Sequence, residues 1–214
     1  MGKNRNELKF NKTMKYIVYI LIILFNVSCL NSKNTVSINC NVEDLLYINY
    51  ESSTQFNDIE KISNLKNIDD NSFRFYLKEG VDSNEIKKEN SITISKKYFF
   101  KDPNLQGDIL IYIMGFNQNN NIKHYLAVRP TNNGKSSIYI LNQVNGKVNS
   151  MFLAYSDYNN NYESEHIVTE KKSTNVFKLE RFSTSDTRDH DGKYSRKCIF
   201  QLELNDEGHL KTSK

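Results

Sequence analysis

The pair Asn145-Gly146 stands between two apolar, partly alternating stretches, Ser136 to Val144 and Lys147 to Tyr155. The tight turn that matches strand twist needs positive φ at both central positions, which Asn and Gly adopt most readily, so the pair predicts an antiparallel hairpin. A lone hairpin is barely stable in water and must find further strands. The neighbouring sequence offers them. Ile122, His124, Leu126 and Val128 share one face of a strand, with His124 among core or barrel-mouth residues. That strand returns from Asp108 to Phe116 through a polar loop at Asn117 to Asn121, and the continuously apolar run Ile109 to Met114 predicts a strand covered on both faces in the middle of the sheet. Pro130 to Lys135 turns the chain. Beyond the central hairpin, His166 to Lys171, Asn175 to Phe182 and Lys197 to Leu204 read as strands, followed by a turn at Asn205 to Gly208 and a stub at His209 to Lys211.

The N-terminal half is less regular. Thr35 to Asn39 alternates as a first strand, while Asn41 to Tyr50 suits either strand or helix. Phe56, Ile59, Ile62 and Leu65 recur at spacings of three and predict a short amphipathic helix or turn within Gln55 to Ile68. Asp69-Asp70-Asn71 ends it. Ser72 to Lys78 alternates with Phe73, Phe75 and Leu77 on one face, which predicts a strand. Asp82 with Glu85 reads as a capping box opening a short helix through Lys88, and Ser91 to Ser95 as another strand. Short strands joined by polar turns give a mainly β fold, an antiparallel meander forming a sandwich or open barrel with one or two short helices in the N-terminal half.

Ahead of this domain lies Tyr16 to Cys29, whose unbroken apolar run ends at Phe25. A membrane-spanning helix needs about 20 apolar residues; a run of roughly half that length, preceded by Lys9, Lys12 and Lys15, has the form of a secretory signal. Val27-Ser28-Cys29 closes it, and the segment resembles a bacterial lipoprotein signal with its lipobox. The resemblance covers only about the first 30 residues. It implies cleavage before Cys29, lipid attached to that thiol, and residues 1–28 removed as the signal peptide. Asn26 departs from the common form, which has Leu there. Met14-Lys15 followed by the apolar run is already a compact signal, and we expect translation to start at Met14. Residues 29–34 then form a short polar tether, with 35–214 a single β-rich domain. Two or more acyl chains anchor stably, so membrane lipid is the first implied partner, and the implied place is the bacterial cell envelope, with the domain in the periplasm or at the cell surface.

This division changes the meaning of the net charge. The chain carries +4, but Lys3, Arg5, Lys9, Lys12 and Lys15 precede Cys29 with only Glu7 against them, leaving 24 of 29 basic and 24 of 25 acidic residues in the mature chain. Nucleic-acid binding rests on a basic surface, so a neutral domain argues against that partner. An envelope protein or a glycan remains.

Cys40 and Cys198 both fall on apolar faces of alternating segments, and export would permit them to pair. Their bridge would close a loop of about 160 residues; two unpaired core cysteines are the alternative. Asp186, Asp189, His190 and Asp191 cluster beside Gly192 and offer oxygens and an imidazole to a cation. Arg188 and Lys193 interleave them, so a solvated mixed-charge loop is the simpler reading. Asp157, Asn159, Asn161 and Glu163 alternate like calcium ligands, but Tyr162 stands where an EF-hand needs Gly and Val168 where it needs Glu. Tyr155, Tyr158 and Tyr162 bracket this Asn-rich segment and offer a surface apolar on one side and wet on the other. No Gly-x-Ser-x-Gly elbow, phosphate loop or dinucleotide fingerprint is present, and no cofactor is expected. The sequence thus favours a non-enzymatic binding or interaction module, with a lipid-anchored hydrolase or metal-dependent enzyme built on the loop around His190 as the alternative.

Overall fold

A computed structural model describes residues 40–41, 45–51, 56–96, 99, 107–130, 135–159, 163–187 and 192–213. They fall within one compact unit, Ser37–Lys214. The first predicted strand, at 35–39, lies outside the described residues, as do the signal-like stretch and Cys29.

The central hairpin forms as its turn dictates. Asn145 and Gly146 take φ of 51° and 75° between β6 (Lys135–Val144) and β7 (Lys147–Asn159). Before them come β1 (Tyr47–Asn49), β2 (Val81–Asp82), β3 (Ser91–Ile94), β4 (Ile109–Asn119) and β5 (Ile122–Arg129). After them come β8 (Glu163–Lys171), β9 (Val176–Thr187), β10 (Gly192–Leu204) and β11 (Leu210–Ser213). From β3 to β11 every strand pairs antiparallel with its sequence neighbour, while β1 pairs with β7 and β2 with β6. The fold is mainly β, an antiparallel sheet of eleven described strands that does not close into a barrel.

Strand β7 is the corner of the sheet. Its first part, to Tyr155, pairs with β6, and its last four residues pair with β8. Two arms therefore leave it, one through β6 to β3 and the other through β8 to β11. The far end of the second arm comes back to β1, beside the first part of β7: the Asn49 side chain donates to the Leu210 carbonyl at 3.0 Å and accepts from the Leu210 N–H at 2.8 Å. A side-chain amide here does what a backbone peptide would do between β1 and β11.

Apolar cores lie on both sides of the central strands. Tyr125, Ala127, Tyr139, Leu141, Met151 and Leu153 face one, shared with Phe56, Ile59, Ile92 and Phe99. Leu126, Val128, Ile138, Ile140, Phe152 and Ala154 face the other, shared with Phe177, Leu179, Phe200, Leu202 and Leu210 from the second arm. The strands covered on both faces are thus β5 to β7. The expectation for β4 is corrected: it lies beside the short strand β3, its side chains alternate, and Leu110 is 45% exposed. An outward apolar residue is commonplace in soluble proteins, so unbroken apolarity could not fix the strand's position.

A second correction concerns Ser72 to Lys78. It is not a strand but the body of a helix, α1 (Asp70–Glu79). Asp69 caps it, accepting from the N–H groups of Asn71 and Ser72 at 3.0 Å each. Gly80 ends it with φ 79° and an N–H bonded to the Tyr76 carbonyl. Phe73 and Leu77, four apart, enter the core while Phe75 is 58% exposed, so the apparent alternation was two helical faces. Burying each of the first two is worth about 1.5–3 kcal/mol. Gly80 is needed twice over, because a Cβ there would stand 2.5 Å from the Tyr155 ring. The capping-box helix at Asp82 is also corrected. Asp82 does accept from the Asn84 N–H at 2.9 Å, but only single 3₁₀ turns form, at Ser83–Glu85 and Lys88–Asn90. The expected turn within Gln55 to Ile68 is a 3₁₀ segment, Asn57–Lys61, with Ile59 inward.

Cys40 and Cys198 are joined by a disulfide, with Cα atoms 5.7 Å apart across 158 residues of chain. It fixes the beginning of the described chain to the middle of β10.

Candidate functional site

Residues directly opposed in an antiparallel pair point to the same side, so a register that holds over several strands can line up a row of side chains across a sheet. Two such rows lie among the described residues, one crossing β4 to β7 and one crossing β7 to β10.

The first crosses β4 to β7. Asn117 opposes His124, His124 opposes Asn142 and Asn142 opposes Ser150. All four are buried, His124, Asn142 and Ser150 completely. Burying a polar group without a partner costs about 1–3 kcal/mol, and here each has one. The His124 Nδ1 lies 2.8 Å from Asn142 Oδ1 and its Nε2 3.0 Å from the Thr174 carbonyl. Asn142 Nδ2 donates to Ser150 Oγ at 2.9 Å, and Ser150 Oγ donates to the Gly208 carbonyl at 2.6 Å. The row is thereby stitched to the turns that follow β8 and β10. Two oxygen neighbours favour the imidazolium, but burial against Phe73 and Phe177, reinforced by the nearby Lys171 charge, opposes it. Burial wins, and the His124 pKa is pulled down to about 4.

Lys171 extends this row. Its side chain is only 1% exposed, and its ammonium donates to Asp70 Oδ1 at 2.6 Å and Asn117 Oδ1 at 2.7 Å. It also lies 5.5 Å from the centre of the Phe73 ring. Asp70 is held below the usual carboxylate range, by the Lys171 hydrogen bond first and then by Arg74, whose Nε lies 2.7 Å away. Arg74 in turn donates to the Lys171 carbonyl. A buried ammonium with this many partners is a structural cation, locking α1 onto the sheet.

The second row crosses β7 to β10 near their other end. Asp157 opposes His166, His166 opposes Phe182 and Phe182 opposes Lys197. This row faces water: Asp157, His166 and Lys197 side chains are 49%, 44% and 50% exposed and Phe182 is 37% exposed. The His166 Nδ1 stands 3.7 Å from Asp157 Oδ1. Lys197 Nζ sits 4.7 Å from the centre of the Phe182 ring and 2.9 Å from Glu180 Oε2. Lys178 and then Lys197 pull the Glu180 carboxyl down to about 2. Ile199, opposite Glu180, is 54% exposed. Aromatic, aliphatic and both charges thus meet on one accessible sheet face, a composition that suits reversible contact with a polar partner.

The tyrosines singled out in the sequence are separated. Tyr155 is buried, its ring against Gly80 and edge-on to His166 at 5.9 Å, and burial pushes its hydroxyl up to about 12. Tyr158 is exposed, and three residues along one strand place it on the opposite face. Tyr162 lies outside the described residues. So do Asp189, His190 and Asp191, between strands β9 and β10; Asp186 lies in β9, opposite Lys193. Among the described residues no three His, Cys, Asp or Glu are gathered as a metal site would require. No helix among them is long and apolar enough to cross a membrane. A half-open polar cavity of about 370 Å³ lies between the 57–64 and 87–90 segments, where Lys61 and Lys87 are balanced by Asp58 and Glu89.

Sequence reasoning placed His124 on a core face but missed its partners. The available signal was a polar residue at an apolar parity position: Asn142 after Ile138 and Ile140, Ser150 before Phe152 and Ala154, Lys171 after Ile167 and Thr169. No protein-family model matches this chain, no curated protein matches its sequence and no solved structure matches its fold.

Proposed function

We propose that this protein is a lipid-anchored component of a bacterial cell envelope that works as a non-enzymatic binding or interaction module. The observation that carries the reading is the stretch Tyr16 to Cys29, with basic residues before a short apolar run and Val-Ser-Cys at its end. Membrane lipid engages through an acylated Cys29, and the neutral mature domain leaves an envelope protein or glycan, rather than nucleic acid, as the second partner. The exposed row Asp157–His166–Phe182–Lys197 supplies the contact face in this reading.

The test is mass spectrometry of the protein extracted from its own membranes, coupled to cross-linked partner capture. A chain beginning at diacylated or triacylated Cys29, and a captured partner lost on Phe182→Ala with Lys197→Ala, are the expected results. An intact, unmodified N-terminus overturns the anchor. Turnover of a glycan or peptide that disappears in Asp189→Ala and His190→Ala would replace the binding role with a hydrolytic one.

A further inference from the structure

The buried row contains a proton count that does not balance. Its four contacts run from the Thr174 carbonyl through His124, Asn142 and Ser150 to the Gly208 carbonyl. Each contact needs one hydrogen between its two heavy atoms, and the two terminal carbonyls bring none. A neutral imidazole brings one, the Asn142 amide can direct only one along the row, and the Ser150 hydroxyl brings one. Three hydrogens cannot fill four contacts. The imidazolium brings the missing one, and an amide with Asn142 Oδ1 toward Nδ1 and Nδ2 toward Ser150 fits the four-hydrogen pattern.

The surroundings push against that pattern. The charges acting on the ring are Lys171 from β8, which disfavours imidazolium, and Asp70 from α1, which weakly favours it. The remaining neighbours are neutral: Phe73 from α1, Phe177 from β9, Asn142 from β6 and Ser150 from β7. Near neutral pH the ring therefore carries a single hydrogen. With Nε2–H pointing at Thr174 no bare ring nitrogen faces a carbonyl, and the unfilled contact falls at the other end of the row; the Nδ1–H tautomer would leave it at Thr174 instead. In the Nε2–H form Nδ1 accepts, which requires the Asn142 amide turned so that its NH₂ faces the ring. Its carbonyl now faces Ser150 and claims the hydroxyl hydrogen, and the contact left empty is Ser150 to Gly208. Gly208 lies in the turn between β10 and β11, as Thr174 lies in the bend between β8 and β9, whereas His124, Asn142 and Ser150 sit inside paired strands.

We propose that Asn142 is a two-position amide set by the protonation of His124, so that one proton decides whether Ser150 bonds to Asn142 or to the Gly208 carbonyl. The β10–β11 turn is the moving part. It is free of Ser150 when the ring is neutral and latched to it when the ring is charged. The device responds to acid and stands independently of the anchor and of the partner.

The test is nuclear magnetic resonance of the intact protein in mild detergent, with ¹⁵N-labelled histidine and backbone, taken from neutral pH down through the titration of His124. The neutral ring is expected as the Nε2–H tautomer. As it protonates, the Gly208 and His209 amides should exchange about fivefold more slowly than their intrinsic rates alone predict, the gain of one hydrogen bond. In Ser150→Ala, His124 should still titrate while the turn stays unchanged. An Nδ1–H tautomer or an imidazolium at neutral pH overturns the proposal, and both are read without acidifying. Unchanged turn protection through the titration overturns it as well.

Discussion

The two rows use one device, register carried across four strands, for opposite ends. In β4 to β7 the row is sealed within the core shared with the second arm, so each polar atom must be matched inside the protein, and the result is a network of uncharged groups with one cation, Lys171, at its edge. In β7 to β10 the row lies open to water, so Asp157, His166 and Lys197 can be exchanged at little cost to the fold. Burial makes the first row structural, and exposure leaves the second available. The difference lies in which face is covered, since both rows contain a histidine, an acid or amide, and a lysine nearby.

The rows also differ in how their strands are held, and the largest predicted effect follows from that. The open arm is tied to the start of the described chain by Cys40–Cys198. Replacing both cysteines by Ala should lower stability by about 5 kcal/mol in the chain-entropy account, read as a shift of the denaturant midpoint. A loss below about 1 kcal/mol would mean that packing alone holds β10.

Next comes the charge beside the sealed row. Lys171→Ala should cost about 3–4 kcal/mol, through an orphaned Asn117 oxygen, an abandoned Asp70 and a cavity under α1. Lys171→Met keeps the volume and should recover roughly half of that, because Asp70 is half exposed and retains Arg74. Equal losses in the two variants would show that pairing rather than packing dominates.

Acid should weaken the sealed row in a definite window. The His124 pKa is depressed in the folded protein, to about 4 from 6.5, so the unfolded chain binds the proton first. Its contribution is complete above about pH 6.5 and is lost as pH falls toward 4, reaching on the order of 3 kcal/mol. Urea midpoints measured against pH should show this limb in the natural protein and lose it in His124→Asn. A limb that survives the substitution would assign it to another group. Asp70, depressed from 3.8 by Lys171 and Arg74, loses its contribution below that value, in a separate window.

The smallest effect belongs to the open row. Phe182→Ala and Lys197→Ala should each leave stability within about 0.5 kcal/mol in thermal melts, as surface substitutions do. A loss of 2 kcal/mol or more would make this row as structural as the other.

Much of the sheet was legible because its signals are local. Asn145-Gly146, the alternation in Ile122 to Val128 and the turn at Asn205 to Gly208 each depend on a few neighbouring residues. The helix at Asp70–Glu79 was misread because Phe73, Phe75 and Leu77 satisfy a two-residue period while Asp69, Gly80 and the Phe73–Leu77 spacing satisfy a helical one. The caps and the packing of Phe73 against His124 and Lys171 decide between them. Of the second row, the sequence singled out Asp157 only as part of an incomplete calcium pattern, since nothing local relates residue 166 to 182 or 197.

The sequence by itself determined the antiparallel meander and the turns at Asn145-Gly146 and Asn205 to Gly208, because turn chemistry and side-chain parity act over two to four residues; Asn117 to Asn119, expected in a polar loop, instead continue β4 because they pair with β5. Only the tertiary structure decided which residues meet. The bulges between Ile113 and Gly115, Ile138 and Tyr139, and Asn142 and Gln143 shift the register along the ladders. The bend at β7 gives each arm its own covered face. A one-residue slip at any of these would turn a row to the other side of the sheet, so the burial of His124 and the exposure of His166 are properties of the assembled sheet rather than of either residue's neighbours in the chain.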